Sequence, residues 1–284
     1  MKNIIVPIDF SKESLCGLDV ALLFAQKKHT NIQMVYVQKK SSDYSHFSVE
    51  EETVYAEKRF KAIIKNYTPR LKNESKLRYI LKKGKIYAEI VSQAESYKNC
   101  IITLSTHGAS GFEELFIGSN TFKIISATDL PVITLNKREC PANINKIVMP
   151  IDISTKTRQK VSYTARLAKQ FNAEIHVLTV SSSRGKKILQ RLEAYTNQVY
   201  GYLYGLNLKV HKNSVFGENI TDITIEYSDS IKADLISIMT EQATSFSLFG
   251  GNYAHQMINK AEIPILSIFS KSLGPAGSFS TFGG

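Results

Sequence analysis

The 284-residue chain has only three cysteines, Cys16, Cys100 and Cys140. The count is odd and no CxxC pair occurs, so neither a disulfide framework nor a thiolate zinc site is expected. Cys16 and Cys100 sit among apolar residues and read as small core side chains. No run approaches the roughly 18 apolar residues of a membrane span. The opening Met-Lys-Asn-Ile-Ile-Val-Pro is too short an apolar run for a signal peptide, and a reducing cytoplasm is the expected location. Low-complexity composition is absent too, apart from the last residues. With 43% hydrophobic and 21% charged residues, disorder, collagen and coiled coil are excluded.

The charge is one-sided, with a formal net of +11. It is nevertheless spread evenly: residues 1–143 carry +6 and residues 144–284 carry +5. There is no basic tail, and the densest cluster, Lys82-Lys83-Gly84-Lys85, is short. A solvated surface accounts for this better than a nucleic-acid-binding stripe does.

What the chain does have is an internal repeat. KNIIVPIDFS at 2–11 returns as NKIVMPIDIS at 145–154, so Asp9 matches Asp152. CIITLS and DLPVITL, between 100 and 135, return as DLISIM and EIPILSI between 234 and 268. Gly84 matches Gly217 and Pro131 matches Pro264. Two copies of this length are two domains, not a short-period solenoid. The expected division is 1–138, 144–272 and a flexible, uncharged tail over 273–284, with a polar joint around Pro141.

Each copy alternates strand and helix. Ile4 to Ile8 is a short apolar run suited to a buried parallel strand, with Pro7 near its end. Ser11 is placed to cap a helix bearing Leu15, Leu18, Leu22 and Ala25. Strands are expected over 32–37, 77–81, 100–104 and 132–135. Helices are expected over 50–67, after Gly84, and over 119–127. The first of these offers Val54, Phe60, Ile63 and Ile64 to the core. This order predicts an α/β fold: two tandem doubly wound domains, each a five-stranded, mostly parallel sheet with helices on both faces. Right-handed crossovers then put Asp9, Val37 and Leu104 along one rim, where such sheets bind ligands.

The fourth strand runs into Ser105-Thr106-His107-Gly108-Ala109-Ser110-Gly111, and Gly118-Ser119-Asn120 opens the next helix. A glycine-rich turn and a helix N-terminus both present backbone N–H groups to phosphate. The same residues also suit an ordinary turn and an ordinary cap. Asp9 has a plain alternative as well, as a carboxylate favouring the N-terminus of its helix.

VPIDFS, STHGASGFEELFIGS and DLPVITL together resemble the universal stress protein family, and the resemblance extends to both copies. The family signature is Gly-x2-Gly-x9-Gly-Ser/Thr. Gly108 and Gly118-Ser119 match its second and third elements, whereas Ser105 stands where the family has glycine. The resemblance implies a Rossmann-like, adenine nucleotide alpha hydrolase-like fold that binds ATP or another adenine nucleotide, with or without Mg. It puts Pro7, Ile8 and Asp9 on the adenine and ribose side, Val37 against the base, and Leu104 and Ser105 near the ribose. Gly108, Gly118, Ser119 and Asn120 would hold the phosphates. His107 would either donate to a phosphate or shape the turn.

The second copy departs from the signature. Glu241 replaces Gly108, and Gly251-Asn252 replaces Gly118-Ser119. A carboxylate about 4 Å from a phosphate costs on the order of 4 kcal/mol at an effective dielectric of 20. This copy is therefore expected not to bind ATP in the family manner, with Asp152 and Val180 kept as fold residues. Phe246, Leu248 and Phe249 are expected to plug its pocket.

The reading that follows is a stress-response regulator that binds nucleotide in its first copy and is not an enzyme. The alternatives are a nucleotide-independent interaction module and a weak ATP hydrolase. No SGGxDS, HxGH or KMSKS element occurs, the six histidines are scattered, and no catalytic or metal-ligand spacing is visible. The two copies are expected to pair within the chain through their closing strands, Val132–Leu135 and Leu266–Phe269. Such pairing covers both edges. A further homodimer is compatible with this arrangement, while nucleic acid and membrane are not expected partners.

Overall fold

The computed structural model describes residues 1–38, 48–106, 119–136, 140–154, 156–240 and 250–270, with only the backbone described at Ser119 and at 250–252. The first copy runs β1 (Asn3–Pro7), α1 (Lys12–Lys27), β2 (Asn31–Gln38), α2 (Val49–Tyr67), β3 (Lys76–Lys83), α3 (Ile86–Glu95), β4 (Cys100–Ser105), α4 (Ser119–Ala127) and β5 (Val132–Leu135). The second runs β6 (Lys146–Ile151), α5 (Val161–Phe171), β7 (Glu174–Ser181), α6 (Lys186–Gly205), β8 (Val210–Phe216), α7 (Ile220–Ser230), β9 (Leu235–Thr240), α8 (Gly250–Lys260) and β10 (Ile265–Phe269).

All strand pairs within each copy are parallel, and the two five-stranded sheets fuse into one ten-stranded sheet. Its order is β3-β2-β1-β4-β5-β10-β9-β6-β7-β8. The closing strands meet at the centre as its antiparallel pair, with Leu266 opposite Ile133 and Ser267 opposite Val132. Every residue of β5 is buried, as a strand covered on both faces and both edges must be.

Local chemistry explains the helix boundaries. Ser11 accepts from the Ser14 amide and starts α1. Ser48 and Glu51 form a reciprocal capping box that starts α2. Along α2 the buried stripe is Ala56, Phe60 and Ile63, spaced for one face of a helix. Val54, expected in the core, is instead 68% exposed. At 100° per residue it lies about 120° around the helix from Phe60, off the stripe.

Helices of the two copies also touch. The Phe24 ring of α1 meets the Phe171 ring of α5 edge to face at 4.9 Å. The N-terminal ammonium donates to Gln170 Oε1 at 3.1 Å, and the Asn136 amide donates to the Asn259 carbonyl at 2.6 Å. Among the described residues no helix is long and apolar enough to cross a membrane.

Candidate functional site

A crevice opens at the carboxyl edge between β1 and β4. The two strands pair only from Asn3/Cys100 to Ile5/Ile102. Yet β1 stays paired with β2 through Pro7/Val35, and β4 with β5 through Ser105/Leu135. The chain leaves β1 toward β2 on one side, while β4 and β5 lie on the other. This is the topological switch point, where an open α/β sheet leaves room for a ligand.

Most of the expected site residues fall along this rim. Ile8 is buried, and its amide still donates to the Val35 carbonyl at 2.9 Å. Val37 and Leu104 are buried, Pro7 and Ser105 are half-buried, and Asp9 and Asn120 are exposed. The Ser105 hydroxyl donates to the Leu135 carbonyl at 3.3 Å, and the Thr121 hydroxyl of α4 donates to the Ser105 carbonyl at 3.3 Å. The backbone of α4 starts at Ser119, so its N-terminus lies one turn or less from that tie to β4. His107, Gly108 and Gly118 lie outside the described residues, as do Glu241, Phe246, Leu248 and Phe249 of the second copy.

The turn from β1 into α1 also depends on Phe10, Tyr36 and Arg59, which sequence reasoning passed over. Phe10 has φ of +67°, a left-handed conformation that costs a non-glycine residue on the order of 1 kcal/mol or more. Its ring is fixed in an aromatic cluster, stacked on Tyr36 at 5.0 Å and edge-on to Phe60 at 5.0 Å. Arg59 donates to the Phe10 carbonyl at 3.2 Å and lies over the same ring. Phe10 is turned into the core, while Asp9 beside it is exposed. Asp9 Oδ1 accepts from the Ser11 amide at 3.0 Å and from its hydroxyl at 2.5 Å. These two bonds tie the Asp9 carboxylate to the residue that caps α1. Burial, and then the 2.7 Å hydrogen bond to Glu52, push the Tyr36 phenol well above its ordinary range, so it stays a donor at neutral pH.

The second copy repeats the strand geometry but not the details. Asp152 accepts from the Ser154 amide at 2.8 Å, as Asp9 does from Ser11. Ile153, at the position of Phe10, is 43% exposed, so the aromatic lock is missing. Lys160 stands at the position of Gly17 and is 2% exposed. Its ammonium donates to the Thr157 carbonyl at 2.9 Å and to the Thr157 hydroxyl at 3.0 Å. Burial lowers this lysine to about 8, against the opposing pull of Asp152. Helix α5 accordingly begins after a short 3-10 turn over Lys156–Lys160 that packs on β9.

Comparison with known proteins agrees with this architecture. The family model described as "Universal stress protein family" matches residues 1–136 and 143–268. A universal stress protein from Archaeoglobus fulgidus DSM 4304 is 19% identical, with a TM-score of 0.76 over 94% of this chain and 98% of that one. A putative universal stress protein from Pseudomonas aeruginosa UCBPP-PA14 is 14% identical, with a TM-score of 0.68 over 95% and 94%. A functionally unknown protein from Pseudomonas aeruginosa PAO1, 14% identical, has a TM-score of 0.66 over 95% and 93%. No curated protein sequence matches the chain.

Proposed function

Because the chain belongs to the universal stress protein family, with both copies matched, we propose that its first copy binds an adenine nucleotide, ATP foremost, in the crevice between β1 and β4. The observation that carries this reading is the early end of β1–β4 pairing at Ile5/Ile102, with both strands continuing past it. Pro7 and Val37 supply apolar surface for a base, Ile8 offers its backbone there while its side chain packs in the core, and the Asp9 carboxylate suits ribose hydroxyls. The start of α4 at Ser119 and Asn120, with the glycines before it, supplies N–H groups for phosphates and any accompanying Mg. Ser105 stands at the ribose with its hydroxyl turned to Leu135.

In this reading the second copy binds no nucleotide and acts as the structural partner of the first. The domains are 1–138 and 144–272, and the expected tail over 273–284 lies outside the described residues. The role is regulatory, in a stress response in the cytoplasm, where three free thiols are stable. Calorimetric titration of the full chain with ATP tests it. One equivalent of bound nucleotide, a raised Tm and no turnover above background are expected. No heat and no thermal shift with millimolar ATP or AMP would leave the interaction-module reading in its place. Two equal sites would overturn the asymmetry, and turnover would make the chain an ATP hydrolase.

A further inference from the structure

At the opposite, amino edge of the second copy, two of the six histidines meet. His176 on β7 and His211 on β8 are register partners on adjacent parallel strands. Their rings stack at 4.6 Å with 25° between planes. Glu174, two residues before His176 and on the same face of β7, lies between them. His176 Nε2 is 3.4 Å from Glu174 Oε1, and His211 Nε2 is 3.4 Å from Glu174 Oε2. One ligand atom from each of the three residues can be chosen so that all lie within 4.8 Å of one another.

We propose that Glu174, His176 and His211 form a site for a divalent transition-metal ion, with zinc as its representative. Donors held about 2.0–2.1 Å from a tetrahedral zinc stand roughly 3.3–3.4 Å apart; each histidine is at that distance from one of the two Glu174 oxygens, and the set of three must draw in from 4.8 Å or less. Two imidazoles and one carboxylate suit borderline ions such as zinc, nickel and copper and do not suit magnesium or calcium. The set also has a supporting partner. The Tyr227 hydroxyl of α7 lies 2.9 Å from His176 Nδ1. A hydroxyl serves either tautomer, so Nε2 can give up its proton to become a ligand while Nδ1 keeps a partner.

Access and motion are divided between the residues. His176 is buried and fixed by Tyr227, whereas the His211 side chain is 42% exposed. His211 is the ring that turns to close on the ion. A cavity of about 740 Å³ at this edge is lined by Glu174 and Lys209, so the Glu174 carboxylate can be reached from it. Lys209 is the competitor: its ammonium sits 2.5 Å from Glu174 Oε2 on a side chain that is 71% exposed. A divalent ion replaces that ammonium, which swings into water.

The first copy is an internal control. At the same register it pairs Gln33 with Arg78, and Asn31 stands where Glu174 does. There Gln93 of α3 donates to Gln33 at 2.9 Å, doing for an amide what Tyr227 does for an imidazole. The fold therefore does not require ligating side chains at these positions. Only one copy carries them, and it is the copy whose nucleotide signature is degenerate.

The test is zinc chloride titration of the chelator-treated full chain by calorimetry, with circular dichroism to verify folding. One equivalent should bind. His211→Gln, on the edge strand, should abolish that event, and Tyr227→Phe should weaken it about 10-fold or more. Lys209→Met should tighten it about 10-fold, because the ion then no longer has to displace an ammonium from Glu174. His29→Gln should change nothing. Absence of binding in both the wild type and Lys209→Met overturns the proposal. So does equal binding by wild type and His211→Gln, or an equal loss in His29→Gln.

Discussion

The hydroxyl of Thr103 donates to the carbonyl of Gly17 at 2.9 Å, and a Cβ on Gly17 would stand 2.9 Å from the Thr103 carbonyl oxygen. Helix α1 therefore rests its backbone directly on the backbone of β4. That contact fixes the distance between β4, which ends at Ser105, and the helix that follows the Asp9 turn.

Gly17→Ala tests it. In an ordinary helix interior this change stabilises by about 1 kcal/mol. Here the sign should reverse, with a loss of about 1–3 kcal/mol, because the helix must lift from the strand. Denaturant unfolding gives the sign directly. A stabilised variant would mean that α1 is free to shift.

The Phe10 turn makes a prediction about order. Phe10→Ala and Phe10→Gly both lose a buried ring, at about 3–5 kcal/mol. Glycine alone is at ease at φ of +67°, so Phe10→Gly should be the less damaging by up to about 1 kcal/mol. Thermal unfolding of the two variants side by side reads the difference, and alanine proving milder would contradict the left-handed turn.

Lys160 predicts a pH dependence. Its folded value, about 8, is below its ordinary 10.5. Between those values the unfolded chain binds the extra proton, so stability rises with pH across that window. Below about pH 8 the penalty of the buried ammonium is felt in full, on the order of 3 kcal/mol. Lys160→Met should be more stable than wild type at pH 7, and the gap should close toward pH 10. A gap independent of pH would remove the buried charge from the account.

The central strand pair predicts the behaviour of half the molecule. A chain ending at Asn143 keeps β5 but loses β10, leaving the buried Val132–Leu135 edge unpaired. Such an edge recruits another strand. The truncated chain should sediment as a dimer, and a stable monomer would show that β5 tolerates solvent.

Much of the fold was legible because parallel strands buried on both faces write themselves as apolar runs. Ile4 to Val6 and Cys100 to Leu104 needed no long-range information. The repeat gave the second copy from the first. Val54 misled because apolar character alone does not say where a residue lies around a helix. At the rim, Asp9, Val37 and Ser105 were found from a motif. Phe10 was not, because its φ is imposed by Tyr36, Phe60 and Arg59, which are distant in sequence. His176 and His211 looked scattered for a similar reason. They are thirty-five positions apart and meet only through the register of β7 and β8.

The antiparallel seam between β5 and β10 joins two copies that have grown unlike. Two separate polypeptides with such strands would assort into like and unlike pairs according to their concentrations. Held in one chain, each copy always meets the other, whatever the level of expression. A change in either copy is inherited with its counterpart. Covalent linkage here acts as a rule of composition: every molecule contains one of each.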